Sequence, residues 1–168
     1  MTDSRDVDSN KLNLQQHQAE RIKAIIVRLH KELRANLVLL INRSGQPVVT
    51  VGNESDMDCV ALASLAAANL AATDGLANVV GEKEFSVLVH QGRRHSLFIS
   101  DLLKRFSLVV VFDASMSLGL VRYRCKRTGF LLEDVLRSFQ HEEKPAPPPD
   151  HPHFSDEELE ELLGNIGP

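Results

Sequence analysis

Five of the seven histidines, in two groups, and both cysteines are candidate metal ligands. His90 and His95 belong to consecutive strand-like runs, and three further histidines lie near the C-terminus. Cys59 and Cys125 lack the C-x-x-C spacing of zinc ligands and both fall in predicted helices. Because histidines in loops and on surfaces are far commoner than ligands, we predict no metal site and expect both cysteines to be buried thiols.

Clusters of basic residues offer a second kind of chemistry. Arg93-Arg94 and Lys104-Arg105 lie in predicted loops. The segment from Arg122 to Arg127 contains four more bases, the two end residues included. A loop arginine can stabilise a phosphoryl group in another protein, although most such clusters are solvated faces. The chain has no G-x-G, G-K-[ST] or G-x-S-x-G motif. We therefore predict no catalytic residue, no cofactor and no enzyme activity of its own.

Length, composition and charge limit the kind of protein that this chain can be. With 168 residues, of which 43% are hydrophobic, the chain suits one domain plus a tail. Residues 142–168 have eight acids and one lysine (−7), whereas residues 1–141 have eighteen bases and fifteen acids (+3). That excess is too small for a nucleic-acid-binding surface. No secretion signal is visible and no apolar run reaches ~18 residues, so we expect a cytoplasmic protein without a transmembrane segment.

The apolar patterns predict the order helix, two strands, helix, three strands, helix. Residues 1–11 are polar and predicted to be disordered, and an amphipathic helix follows from Leu12 to about Arg34. Five mostly antiparallel strands in one sheet, with helices on both faces, give an α+β fold for the domain 12–141. The predicted strands are 37–41, 48–51, 84–90, 95–100 and 106–112, and the last helix runs from Ser115 or Ser117 to about Gln140.

A long alanine-rich helix between Asp56 and Gly81 is the element around which this order is arranged. Ser55 or Asp56 is the predicted N-cap, with Ser55 and Asp58 at capping-box spacing, and Gly81 is the predicted C-cap. One face gathers Leu62, Leu65, Leu76 and Val80 and is predicted to face the core. The opposite face is small and uncharged, which indicates self-association or partner binding rather than an alanine-rich helix buried within a larger fold. The predicted partner-binding residues are Ala61, Ser64, Leu65, Ala68, Ala71, Ala72 and Gly75.

The C-terminal segment has a composition of its own. Residues 142–153 contain five prolines and are predicted to be an extended linker. Residues 154–168 are predicted to form an acidic amphipathic helix with a capping box of Ser155 and Glu158. Its function is either to solubilise the chain or to dock in a groove of a partner, and its single apolar stripe favours docking. The predicted docking residues are Phe154, Leu159, Leu162, Leu163 and Ile166.

The element order and the alanine-rich central helix resemble the roadblock/LC7 family. Several segments are similar, more narrowly, to its bacterial gliding-motility branch, and Ser155–Ile166 is similar to the acidic tail helix of that branch. Residues 86–89 and 101–106 depart from the pattern. The similar segments are Ser64–Ala72, Gly75–Ala77, Gly81–Phe85, His90-x-Gly92, Leu108–Asp113 and Ser117–Arg122.

This resemblance implies a homodimer with a sheet continued across the interface and its central helices side by side. It also implies a Ras-like small GTPase of the MglA type as partner, and a GTPase-activating role in cell polarity and motility. Such an activator inserts no arginine finger but reshapes the GTPase so that its own arginine and glutamine reach the phosphate. Ala71 and Gly75 would face the GTPase, the tail helix would contact it away from the nucleotide, and partners would concentrate the protein at a cell pole.

Two alternatives remain open at this point. One is a scaffolding roadblock subunit that binds a GTPase or a motor complex without stimulating hydrolysis. The other is a small-molecule-sensing domain of profilin-like shape, or an enzyme, and the missing phosphate, nucleophile and metal motifs argue against this second class.

Overall fold

Three helices and five strands alternate in the predicted order in the computed structural model, which describes residues 4–53, 55 and 57–140, with the backbone alone for residues 4–15, 139 and 140. The predicted linker 142–153 and tail helix 154–168 lie outside the described residues. The elements are α1 (Ser4–Leu33), β1 (Leu37–Asn42), β2 (Pro47–Gly52), α2 (Cys59–Val80), β3 (Val87–Gln91), β4 (His95–Leu102), β5 (Phe106–Asp113) and α3 (Leu118–Gln140).

The five strands form one antiparallel sheet in the order β2-β1-β5-β4-β3. β1 and β5 pair with a partner on each side and are covered on both faces, which explains why their sequences are almost entirely apolar. β2 and β3 are the two edges. This arrangement confirms the predicted α+β class and its single sheet.

The side chains of successive strand residues point to opposite faces of the sheet and meet different helices. Leu39 and Val109 belong to a fully buried cluster with Ala63 and Ala66 of α2. The opposite face is covered by α1 and α3, which lie side by side. Their buried residues include Ile22, Ile26, Leu29 and Leu33 of α1, and Val121, Cys125, Leu132, Val135 and Leu136 of α3.

The beginnings of two helices differ from the predictions. α1 begins at Ser4 rather than Leu12, so residues 4–11 are helical and the predicted disorder there is wrong. No glycine or proline precedes Gly45, so nothing interrupts the helix towards its N-terminus. The N-cap of α2 is Asp58, not Ser55 or Asp56, because the Asp58 carboxylate accepts a hydrogen bond of 2.9 Å from the Ala61 amide.

β3 also begins later than predicted, at Val87 rather than Glu84. The Glu84 side chain is exposed and forms an ion pair of 2.7 Å with Lys104, in the turn between β4 and β5. The residues between α2 and β3 belong to a loop, although the Ser86 carbonyl accepts a hydrogen bond of 3.0 Å from the Asp101 amide of β4.

Length and composition make α2 the one helix, within the described part of the chain, that could cross a membrane. The sequence analysis excluded a transmembrane segment because no uninterrupted apolar run is long enough. That argument does not exclude α2, whose apolar residues are interrupted by a few polar ones. Length and composition do not distinguish a spanning helix from a helix of a folded domain. The contacts of α2 are those of the latter, because Ala63 and Ala66 pack against the sheet.

Candidate functional site

The outward side of α2 is an exposed apolar surface. Leu65, Leu76 and Val79 are 69%, 61% and 84% exposed, which is unusual for large aliphatic side chains on one helix. Small residues lie between them, so the surface is smooth and uncharged. We call this surface the α2 outer face and define it as Ala61, Ser64, Leu65, Ala68, Ala71, Ala72, Gly75, Leu76 and Val79, all of which are exposed.

The structure reverses part of the predicted division of α2 into two faces. Leu65, Leu76 and Val80 were grouped with Leu62 on the predicted core face but are 61–69% exposed, and only Leu62 packs against the sheet. Leu65 was also among the predicted partner-binding residues, and its exposure agrees with that second assignment. The buried residues of α2 are instead Ala63, Ala66, Thr73 and Ala77. Small residues face inwards because the hairpin loop between β1 and β2 lies against the helix backbone. A Cβ at Gly45 would be 3.2 Å from the Ala63 carbonyl oxygen and 3.3 Å from the Ala67 Cβ.

Both ends of α2 are closed by local interactions, which fixes the extent of the outer face. Asp58 caps the N-terminus, and Gly81 adopts the left-handed conformation at the C-terminus with φ 79°. The amide of Glu82 donates to the Ala77 carbonyl at 2.9 Å, as in a Schellman motif. The predicted C-cap is thus confirmed.

Two polar contacts lie in the middle of α2, and one of them joins the helix to the sheet. Asn69 and His90 form a hydrogen bond of 3.1 Å between the amide nitrogen and Nε2, which joins α2 to β3. The Thr73 hydroxyl donates to the Asn69 carbonyl at 2.8 Å, so this buried polar side chain is satisfied within the helix. His90 therefore has a contact that explains its position without a metal.

A cluster of charged residues borders the C-terminal half of the α2 outer face. Lys104 contacts Glu84 at 2.7 Å, Asp101 at 3.2 Å and Asp74 at 3.9 Å. Arg43 joins the cluster through Asp74 at 3.2 Å and donates to the Lys104 carbonyl at 3.0 Å. The cluster thus connects the β1–β2 hairpin, α2, the loop after it and the β4–β5 turn. The hydrogen bond to Glu84, followed by that to Asp101, raises the pKa of Lys104 above its usual value.

The β4–β5 turn has an unusual backbone. Leu103 and Lys104 both have positive φ, 57° and 58°, although neither is a glycine or an asparagine. Each such residue costs on the order of 1 kcal/mol or more, so the surrounding contacts of Lys104 hold the turn in place. The turn brings Arg105 to a cavity of about 100 Å³ beside Ala71, which is also lined by Arg43 and Phe85.

The β3 edge of the sheet is unprotected. β3 pairs only with β4, has neither lysine nor proline, and has an exposed Val87 at its start. Phe85, just before it, is 37% exposed. The other edge, β2, begins with Pro47, which has no N–H to donate. Because Asn69 joins α2 to this edge strand, the open backbone of β3 and the α2 outer face are adjacent.

Among the described residues, the histidines and cysteines that the sequence offered as metal ligands do not come together in a site. His90 lies opposite Leu97 and His95 opposite Asp113, so the two histidines do not form a pair across the strands. Among the side chains of residues 16–53, 55 and 57–138, no group of three or more histidine, cysteine or acidic residues is positioned for a metal ion. Burial raises the pKa of the Cys125 thiol to about 12, which makes it unreactive.

The structure thus places the predicted site residues of the central helix together, whereas the predicted docking residues of the tail lie outside the described part of the chain. All seven predicted residues of the central helix are exposed on one side of α2. The predicted tail residues, Phe154, Leu159, Leu162, Leu163 and Ile166, lie outside the described part of the chain. Sequence reasoning missed Leu76 and Val79 as members of the outer face. They follow Leu65 by 11 and 14 residues, a helical spacing that was a signal for that stripe.

Comparisons by sequence profile and by structure both relate this chain to the Roadblock/LC7 domain. The sequence profile of the Roadblock/LC7 domain matches residues 22–112. Myxococcus xanthus MglB is 39% identical, with 71% of this chain and 90% of that chain covered and a TM-score of 0.69. The gliding protein MglB from Thermus thermophilus is 31% identical, with 72% and 92% covered and a TM-score of 0.66.

A further structure, described as MglB with a tetrameric arrangement, is also 31% identical, with 72% and 91% covered and a TM-score of 0.66. No curated protein matches this chain by sequence.

Proposed function

Because this chain belongs to the Roadblock/LC7 domain family, we propose that it is a homodimeric regulator of a Ras-like small GTPase of the MglA type. The regulatory activity is that of a GTPase-activating protein in cell polarity and motility. Its similarity to MglB over nine-tenths of that protein's length supports this choice within the family. In this proposal the protein is cytoplasmic and is concentrated at a cell pole through its partners.

The observation that carries the proposal is the α2 outer face. A row of small side chains lets the backbone of another protein approach closely, and Leu65, Leu76 and Val79 supply apolar area at the centre of such a contact. Asp74 is the one charge of this helix, and it is engaged by Arg43 at 3.2 Å rather than directed outwards. A surface of this kind suits a protein partner and offers little to a small ligand.

The homodimer in this proposal forms through the β3 edge and α2 together. Antiparallel pairing of two β3 strands would continue the sheet from one protomer into the next. Because α2 is joined to β3 through Asn69 and His90, the same pairing would bring the two α2 helices together. The MglB structure described as a tetrameric arrangement supports the tendency of this fold to self-associate.

The absence of an arginine finger is part of the proposal. The Arg43 guanidinium, beside Ala71, already donates to Asp74 and to the Lys104 carbonyl, so it is committed to holding the protein's own turns. The activator would therefore act by reshaping the GTPase, as the resemblance to the family implies. A scaffold that binds the GTPase without stimulating it is the competing function.

A single experiment separates the two functions. GTP hydrolysis by a purified MglA-type GTPase is measured in a single turnover with and without this protein, and binding is measured in parallel. Accelerated hydrolysis supports the activator, whereas binding with an unchanged rate supports the scaffold. Light scattering at tens of micromolar tests the dimer, and a monomer at that concentration would contradict it.

A further inference from the structure

The side of the sheet away from α2 is strongly basic. The residues of α1 from 16 to 33 and of α3 from 118 to 138 have nine bases and four acids, although the whole chain has a net charge of −4. Glu32 pairs with Arg28 and Arg124, and Glu133 with Arg137. In the part of the chain that the structure describes, the remaining bases of these helices form no ion pair. They are Arg21, Lys23, Lys31, Arg122, Lys126 and Arg127.

Large apolar side chains project among these bases. Leu120, Tyr123, Phe130 and Leu131 of α3 are 44%, 56%, 62% and 48% exposed. The Tyr123 ring lies 5.8 Å and 5.9 Å from the guanidinium carbons of Arg124 and Arg127. The α1–α3 side therefore combines apolar side chains with positive charge, whereas the α2 outer face is uncharged. The two sides of the sheet suit different partners.

We propose that the α1–α3 side binds the surface of an anionic lipid bilayer. The unpaired lysine and arginine side chains would attract acidic headgroups, and each adds to the attraction as it nears the surface. Tyr123 and Phe130 would enter the boundary between headgroups and acyl chains, where aromatic side chains are stable. This proposal does not rest on the proposed GTPase function.

The shape of this side favours a bilayer over an acidic segment of another protein. The cavities on the two flanks of α3 have volumes of about 230 and 410 Å³. Tyr123 and Leu120 line neither cavity and are exposed outside them. Exposed apolar side chains that lie outside a groove fit a deformable layer of lipid better than a rigid helix, which would need a groove to cover them.

Binding on this side would leave the α2 outer face free. α2 packs against the opposite face of the sheet from α1 and α3, so a protein bound to the bilayer through α3 would present α2 towards the aqueous phase. A protein partner could therefore occupy α2 while the chain stays on the membrane.

The test is co-sedimentation of the full chain with phosphatidylcholine vesicles containing about 30% phosphatidylserine. We expect binding at about 50 mM salt, loss of binding at about 500 mM salt, and no binding to phosphatidylcholine alone. The double variant Arg122→Glu and Lys126→Glu should bind at least about tenfold more weakly. The double variant Tyr123→Ser and Phe130→Ser, which leaves the charge unchanged, should also bind several-fold more weakly. All four side chains are exposed, so the melting temperature should stay the same.

The matched control is Arg93→Glu with Arg94→Glu in the exposed β3–β4 loop, which changes the net charge equally and should bind like the parent protein. Equal loss in this control would show attraction by net charge alone and overturn the proposal. So would unchanged binding by the α3 variants, or no binding to the anionic vesicles at low salt. Retention on immobilised polyglutamate without vesicle binding would replace the bilayer by an acidic protein segment.

Discussion

Gly45 lies so close to α2 that a Cβ built on it would be 2.8 Å from the Cα of Ser64. The contact is between two backbones, so neither side can relax by rotating a side chain. Gly45 also has φ 79°, a conformation that is strained for any residue with a side chain. α2 can therefore lie this close to the β1–β2 hairpin only because residue 45 has no side chain.

Gly45→Ala should lower the free energy of unfolding by at least about 2 kcal/mol, because it combines backbone strain with a collision against α2. Urea unfolding measures this loss. Gly81→Ala is the matched control, since Gly81 has the same φ but open space around it, and it should cost only about 1 kcal/mol. Similar losses in the two variants would mean that the contact with Ser64 does not position the helix.

Gly75→Arg and Ala71→Arg should each abolish GTPase binding without unfolding the protein. Nothing lies within 4 Å of a Cβ at Gly75, and replacing a glycine inside a helix favours folding by up to about 1 kcal/mol. Circular dichroism and a pulldown with the GTPase provide the measurements. Ala19→Arg, at an exposed position of α1, is the control and should bind normally. If both α2 variants also bind normally, the partner surface lies elsewhere.

No single arginine of this chain should behave as a finger. Loss of a true finger lowers the rate of hydrolysis by about 10³–10⁵. Arg93→Ala, Arg94→Ala and Arg105→Ala should each lower the stimulated rate by less than roughly tenfold on that scale. Single-turnover hydrolysis at saturating activator gives the rates. A thousandfold loss in one variant that still binds the GTPase would overturn the proposed mechanism.

Glu32 should make a small, pH-dependent contribution to stability. It accepts hydrogen bonds from Arg28 at 2.8 Å and Arg124 at 3.1 Å. The bond from Arg28, helped by the charges of Arg124 and Arg127, lowers the pKa of Glu32 below its usual value. A carboxylate whose pKa falls on folding stabilises the protein above the pKa of the unfolded chain. That stabilisation is lost as the pH falls through the pKa of the folded state.

Glu32→Gln should therefore lower the free energy of unfolding at pH 7 by less than about 1 kcal/mol, because the pair is exposed to solvent. The difference from the parent protein should disappear in acid, below the pKa of the folded state. Urea unfolding across this pH range measures it, with Glu20→Gln on the same helix as control. A difference that persists unchanged in acid would show that the carboxylate charge is not its source.

Deleting residues 142–168, or combining Leu162→Asp with Leu163→Asp, should weaken nucleotide-dependent GTPase binding without changing the melting temperature of the domain. The sequence predicts a helix with one apolar stripe and five acids, which suits a groove with a basic rim. Binding and hydrolysis at physiological salt provide the measurement. If the truncated chain binds and stimulates equally, this segment serves only to solubilise the protein.

The sequence was sufficient for the order of elements and for the C-cap at Gly81, since strands, turns and an alanine-rich helix have distinct local patterns. It was insufficient for the orientation of α2. Both sides of that helix are apolar, so periodicity could not tell which side meets the sheet, and the larger Leu65 and Leu76 were assigned to the core. Ala63 and Ala66 occupy the core instead because the loop at Gly45 approaches the helix closely, a tertiary contact that no local pattern encodes.

In the proposed homodimer, the chemical difference between the two edges of the sheet would limit how far the protein assembles. β3 offers an open row of backbone groups, whereas β2 begins with Pro47, which has no N–H to donate. A sheet with two equivalent open edges can add copies without end and grow into a fibre. If Pro47 prevents pairing along β2, pairing of β3 with β3 consumes the free row on each molecule. Growth along the sheet would then stop at two copies, and the edge that permits association would also prevent polymerisation.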